Sequence, residues 1–117
     1  MNTGLRTILF PVTDLAESKG VFTALAGHEP IADTPYYVGF EIAGQHLGLV
    51  PDGAREQGMK GPVGYWHVEG IAERIDELVA AGATVQNQPR EVGGGRLVAT
   101  LLDADGNQIG LLEDTAG

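Results

Sequence analysis

Two heptads constrain this chain more than any other feature. Gly44-Gln45-His46-Leu47-Gly48-Leu49-Val50 and Gly106-Asn107-Gln108-Ile109-Gly110-Leu111-Leu112 match at identical spacing, each a turn glycine followed by apolar residues around a strand-interior glycine. The segments upstream of them correspond too. Leu5–Val12 alternates as a strand does, and Asp14, with Glu17 three residues on, then signals a helix N-terminus. That helix presents Leu15, Val21, Phe22 and Leu25 and stops at Gly27. A short edge strand is expected around Pro30–Ala32, then a hairpin of Tyr36–Ile42 and Gln45–Val50 turning at Ala43-Gly44. The order restarts with a strand at Gly64–Glu69. An amphipathic helix over Ile71–Ala81 carries Ile71, Ile75, Leu78 and Val79 on one side and ends at Gly82. Strands at Thr84–Val92, Arg96–Asp103 and Gln108–Leu112 follow, the last two joined at Asp105-Gly106. The pattern predicts one α+β domain over residues 1–117, made of tandem βαβββ modules at about 5–50 and 63–114. The polar, Gly- and Pro-rich stretch 51–62 reads as their linker.

Side-chain alternation assigns faces to these strands. One face collects Ile8, Phe10, Val12, Val38, Phe40, Ile42, Leu47, Leu49, Trp66, Val68, Ile109 and Leu111, and should pack on the helices. The other is mixed, with Thr7, Tyr37, Glu41, His46, Gly48, Val63, Tyr65, His67, Glu69, Gln108 and Gly110 among apolar residues. Such a face is either a ligand cleft or plain solvent-facing sheet, and its aromatic and imidazole content favours the cleft. A glycine inside a strand removes a side chain where another group approaches, so Gly48 and Gly110 should widen that cleft.

Charge and composition narrow the partners. Seven Lys+Arg against sixteen Asp+Glu give a formal net charge of -9, which repels phosphate backbones and attracts cations. Nucleic acid is therefore not an expected partner. With no cysteine, disulfides, thiolate catalysis and Cys-ligated zinc are excluded. No apolar run has bilayer-spanning length and the N-terminal residues lack a signal-peptide layout, so a cytoplasmic protein without membrane association is the expectation. Gly93-Gly94-Gly95 lacks the Lys and Ser/Thr of a phosphate loop, and Ser18, the only serine, has no histidine near it in sequence. Trp66 reads as core and His28 as a solvated loop residue.

The duplication, together with VTDLAESKGVFTALAG (Val12–Gly27), VEGIAERIDELVAAGA (Val68–Ala83) and DADGNQIGLLED (Asp103–Asp114), resembles the vicinal oxygen chelate superfamily. That superfamily includes glyoxalases, extradiol dioxygenases and bleomycin-resistance proteins. The resemblance covers nearly the whole chain. It implies a curved, mostly antiparallel sheet with helices on its outer face, enclosing a cavity and often assembled as a homodimer. It also implies metal ligands on the first and last strand of each module. Those positions fall at Thr7 and Gly48 in the first module and at Val63 and Gly110 in the second. Glycine and valine offer no donor and threonine a poor one, so no metal and no other cofactor are expected at the usual site. A displaced site using His46 and His67 with Glu41 or Glu69 is the counter-reading.

The character closest to this pattern is that of a metal-independent, small-molecule-binding protein, with antibiotic sequestration as one expected role. Its ligand, cationic or aromatic, would be lined by Tyr37, Glu41, His46, Gly48, Tyr65, His67, Gln108 and Gly110. The alternative is a small lyase or isomerase with His46 or His67 as general base and a carboxylate such as Glu69 orienting it.

Overall fold

Strand alternation gives each module one apolar sheet face, and a helix covers it. The computed structural model describes residues 2–53, 58–92 and 94–115. In the first module β1 (Asn2–Pro11) leads to α1 (Leu15–Ala26), β2 (Ala32–Thr34), β3 (Tyr37–Ile42) and β4 (Gln45–Val50). β4 runs parallel to β1 and antiparallel to β3, which pairs antiparallel with β2. The second module repeats this with β5 (Val63–Val68), α2 (Ile71–Ala80), β6 (Thr84–Glu91), β7 (Arg96–Leu102) and β8 (Gln108–Asp114). Here β8 is parallel to β5, and the β7–β8 and β6–β7 pairs are antiparallel. The chain is an α+β protein of two βαβββ modules whose strand pairs are mostly antiparallel.

The chain packs as two compact units, one of residues 7–63 and one joining residues 2–6 to 64–115. The start of β1 thus belongs with the second module. Thr3 Oγ1 donates to the His67 carbonyl at 3.2 Å.

In the first unit Val38, Phe40 and Leu49 are fully buried, with Phe10, Val12, Leu15, Phe22 and Ala26 packed on them. The Phe10 and Phe22 rings meet at 5.1 Å, joining β1 to α1. The second unit gathers Val68, Ile71, Ile75, Ala99, Leu101 and Leu111. Val38, Phe40, Leu49, Val68 and Leu111 lie on the face the alternation assigned, while Ala99 and Leu101 join the core without having been assigned to it.

Several sequence expectations are corrected at the periphery. The edge strand lies at Ala32–Thr34, after Ile31 rather than around it. Val21 and Leu25 are exposed, because at 100° per residue the stripe of α1 that touches the sheet runs through Leu15, Phe22 and Ala26. Val79 is exposed on α2 for the same reason. Trp66 shares a strand face with Val68, yet it is 40% exposed, because the α2 core gathers around Val68, Ala99, Leu101 and Leu111 without it. The expected linker carries packing of its own: Met59 is buried, and its sulfur stands where a Cβ on Gly53 would be. Residues 54–57 of that stretch lie outside the described residues. Among the described residues no helix is long and apolar enough to cross a membrane.

Candidate functional site

The hairpin of the first module builds the most chemically distinctive arrangement. A two-residue turn at Ala43 and Gly44, both with positive φ, sets Ile42 opposite Gln45 and hence Glu41 opposite His46 and Gly39 opposite Gly48. All four of these residues face away from α1. The paired glycines leave a bare patch of sheet. Tyr37, two residues before Gly39 on the same face, lays its ring over that patch. A Cβ on Gly39 would stand 3.0 Å from both Tyr37 Cε2 and His46 Cε1. A Cβ on Gly48 would collide with the Tyr37 hydroxyl and come within 2.6 Å of Leu9 Cδ2. The space that the Gly48 side chain vacates is filled by a ring from the neighbouring strand.

The Tyr37 and His46 rings lie nearly parallel, their planes 8° apart and their centroids 6.0 Å apart. The Tyr37 hydroxyl hydrogen-bonds His46 Nε2, and His46 Nδ1 lies 3.1 Å from Glu41 Oε1. A carboxylate can only accept, so Nδ1 carries the proton, and Nε2 then accepts from the phenol. The result is a directed chain, Tyr37 to His46 to Glu41. Its imidazole side chain is 18% exposed and its carboxylate 49%.

The equivalent place in the second module is filled differently. Tyr65 sits opposite Gly110 in the β5–β8 register and is only 2% exposed. A Cβ on Gly110 would lie 2.6 Å from the Tyr65 ring and 2.8 Å from the Gly64 carbonyl. Burial pushes the Tyr65 phenol above its ordinary value, and the Arg90 charge draws it part of the way back. The same module holds two neutral side-chain pairs. Gln108 Nε2 donates to Gln86 Oε1 at 2.8 Å, and Asn87 Nδ2 donates to the buried Thr100 hydroxyl at 2.7 Å. His67 is partly buried on β5, and Glu69 is exposed just past its end.

The four positions carried over from the resemblance are placed as follows. Thr7 and Val63 are buried, at 3% and 1% exposure. Gly48 and Gly110 are covered by tyrosine rings rather than open. The expectation that these glycines widen a cleft is therefore corrected: each admits a ring. The four usual ligand positions do not present donors that fit a divalent cation. Among the described residues no cluster of three His, Asp or Glu is placed to hold one.

Other features lie apart from the Tyr37 chain. A depression of about 480 Å³ in the first unit is lined by Leu15, Ala16, Lys19, Asp33, Thr34, Pro35 and Val38, and its Lys19–Asp33 ion pair holds the ammonium above its ordinary value. A smaller one of about 330 Å³ lies between Pro11–Thr13 and the segment around Pro51 and Met59. His28 is exposed, with Nδ1 2.9 Å from the Glu29 carbonyl. The Gly39–Gly48 pairing and its covering tyrosine were missed at sequence level. The two-residue turn carried that signal, since it fixes the hairpin register.

Residues 4–111 match the Glyoxalase/Bleomycin resistance protein/Dioxygenase superfamily. The chain belongs to this superfamily. Solved structures agree at the level of fold. A protein described as NAD-dependent benzaldehyde dehydrogenase from Legionella pneumophila aligns with a TM-score of 0.74 at 19% identity, over 93% of this chain and 98% of that one. Methylmalonyl-CoA epimerase from Mycobacterium tuberculosis aligns at 0.72 and 17%, over 97% and 89%. The Mn(II)-bound glyoxalase from Novosphingobium aromaticivorans gives 0.72 and 17%, over 99% of this chain but 41% of that protein. No curated protein matches the sequence.

Proposed function

We propose that this superfamily member binds a small aromatic ligand without a metal, on the face of its first module that carries Tyr37, His46 and Glu41. The observation that carries this reading is the Tyr37–His46–Glu41 chain laid over a glycine floor, at a place where metal-dependent relatives keep a ligand. A flat phenol–imidazole pair offers an aromatic surface, and Glu41 beside it pairs with a cation. The net charge of -9 raises the local concentration of a cationic aromatic molecule. Sequestration of a cationic antibiotic is the role that fits, and a homodimer is the assembly that the family suggests.

Calorimetry on chelator-treated full-length protein with cationic glycopeptide and quinone antibiotics tests this. Saturable binding that persists after chelation and weakens in Tyr37→Ala is the expected result. Stoichiometric Zn, Fe, Mn or Ni in tag-free protein, with binding abolished by chelation, overturns it.

A second reading is favoured by the 3.1 Å contact of His46 with Glu41, which orients the imidazole as a general base does. In that reading the domain is a small isomerase or lyase, in keeping with the epimerase among its structural neighbours.

A further inference from the structure

We propose that the outward face of α1, formed by Gly20, Val21, Ala24 and Leu25, docks on the same face of a second copy of this chain. The inference rests on the homodimer reading above and names its surface; the ligand reading does not depend on it. Of the 12 residues of α1 only Glu17, Ser18, Lys19 and Thr23 are polar. A helix apolar around so much of its circumference is normally covered on more than one side. The sheet covers only the stripe through Leu15, Phe22 and Ala26, and Val21 and Leu25 are left 62% and 72% exposed. α2 is built the other way, with Glu73, Asp76 and Glu77 exposed and in no need of cover. Gly20 is the second sign. Glycine weakens a helix interior, and no contact within the chain calls for one here: a Cβ on Gly20 would meet no described atom within 4 Å. Gly20 and Ala24 lie one turn apart and are both exposed, a shallow track in which another helix can settle closely.

Shape and charge select a second copy as the occupant. An antiparallel pair of α1 helices, with its two-fold axis midway between Gly20 and Leu25, sets Leu25 of each copy level with Gly20 of the other. Val21 is then level with Ala24, so large side chains lie beside small ones and the surface complements itself. The same pairing sets Glu17 level with His28 of the partner subunit and no carboxylate of α1 level with another. Two chains of net charge -9 repel over most of their surface, whereas residues 20–26 carry no ionisable side chain. A face of two helical turns is well below the roughly 1,200–2,000 Å² of a stable interface. The dimer is therefore weak and concentration-dependent, with a dissociation constant of about 100 µM.

Sedimentation velocity on tag-free, full-length protein from about 1 µM to about 1 mM tests this, with monomer expected at the low end and dimer at the high end. Leu25→Glu and Val21→Glu should each weaken association at least about tenfold, because the two-fold axis brings each new charge close to its own copy. Both side chains are exposed in the single chain, so circular dichroism and the urea midpoint should not change. Gly20→Ala should raise that midpoint, since alanine favours the helix, while weakening association several-fold by holding the backbones apart. Val79→Glu, at another exposed apolar position, on α2, should leave association unchanged. A dimer that Leu25→Glu and Val21→Glu leave intact overturns the α1 face and keeps the homodimer reading. A monomer across the whole range overturns both. Association that Gly20→Ala leaves unchanged overturns the close approach at that glycine. The calorimetric panel above decides the ligand reading in every case.

Discussion

The two modules share one backbone plan, and each has a glycine at the equivalent strand position, Gly48 in one and Gly110 in the other. The space beside each glycine is filled from a different direction. In the first module the ring comes from β3, diagonally across a glycine pair, and its hydroxyl stays in a hydrogen-bonded chain that reaches a half-exposed carboxylate. In the second it comes from β5, directly opposite the glycine, and is sealed at 2% exposure. The same vacancy thus yields a polar, partly exposed surface in one module and a packed core in the other. What differs is whether the rescuing ring ends at polar groups or in the interior.

Adding one methyl group to each glycine gives the largest test of that contrast. At Gly110 the new Cβ meets ring carbons of a buried tyrosine and the Gly64 carbonyl, which is backbone and cannot swing aside. Gly110→Ala should cost about 3 kcal/mol, at the upper end of overpacking penalties. At Gly48 the obstacles are the far end of Tyr37 and a Leu9 methyl, both able to rotate. Gly48→Ala should cost about 1 kcal/mol and displace the tyrosine from His46, so that ligand binding by calorimetry weakens as in Tyr37→Ala. Urea denaturation of the two variants measures this, and equal losses would show that the second ring is no more tightly held than the first.

The helix N-termini differ in the same sense, local in the first module and long-range in the second. Asp14 caps α1, accepting from the Glu17 amide at 3.0 Å. α2 begins at Gly70 with φ 67°, a residue with no side chain to cap with. Its first amides are instead taken by Glu113 of β8, which accepts from Gly70 at 2.8 Å and Ile71 at 3.0 Å. Those two amides hold the Glu113 carboxyl below its ordinary value. A depressed carboxyl contributes stability above its unfolded value, about 4.3, and that contribution is lost as pH falls through the folded value. Asp14→Ala should cost about 1 kcal/mol at neutral pH. Glu113→Gln should cost about as much at neutral pH, with the gap to wild type closing as pH falls below about 4. Chemical denaturation at neutral and acid pH separates these outcomes, and a gap that is constant with pH would remove the charge from the capping argument.

What could be read ahead of the structure follows the same division between local and long-range. Strand faces, the α1 cap and the two-module order rest on residues within a few positions of one another, and Val38, Phe40, Leu49 and Leu111 are buried as their alternation implied. The Glu113 cap joins residues 43 and 42 positions apart, so no local pattern signals it. The absence of ligand donors at Gly48 and Gly110 was legible, because it depends on residue type alone. The fate of the empty space was not. It depends on whether a neighbouring ring rotates inward, and both Tyr37 and Tyr65 had been assigned to the mixed face without any sign that one would be sealed. Trp66 shows the converse, a large apolar residue with the right parity that α2 does not reach.

The smallest expected effect lies at the turns that set the two hairpin registers. The second module's turn is braced by Asp103, whose Oδ1 accepts from the Asp105 and Asn107 amides and whose Oδ2 accepts from Asn107 Nδ2 at 3.0 Å. These bonds, led by that from the Asn107 side chain, draw the Asp103 carboxyl below its ordinary value. The first module's turn instead places Ala43 at φ 52°, the only positive-φ residue other than glycine among the described residues. A Cβ in that region costs about 1–2 kcal/mol, and asparagine tolerates it better than alanine. Ala43→Asn should therefore stabilise the protein by about 0.5 kcal/mol, within reach of careful thermal denaturation. The change leaves Glu41 opposite His46, so ligand binding by calorimetry should be untouched. A gain in stability accompanied by loss of that binding would mean that the strained turn, rather than the glycine floor, holds the Tyr37–His46–Glu41 chain in place.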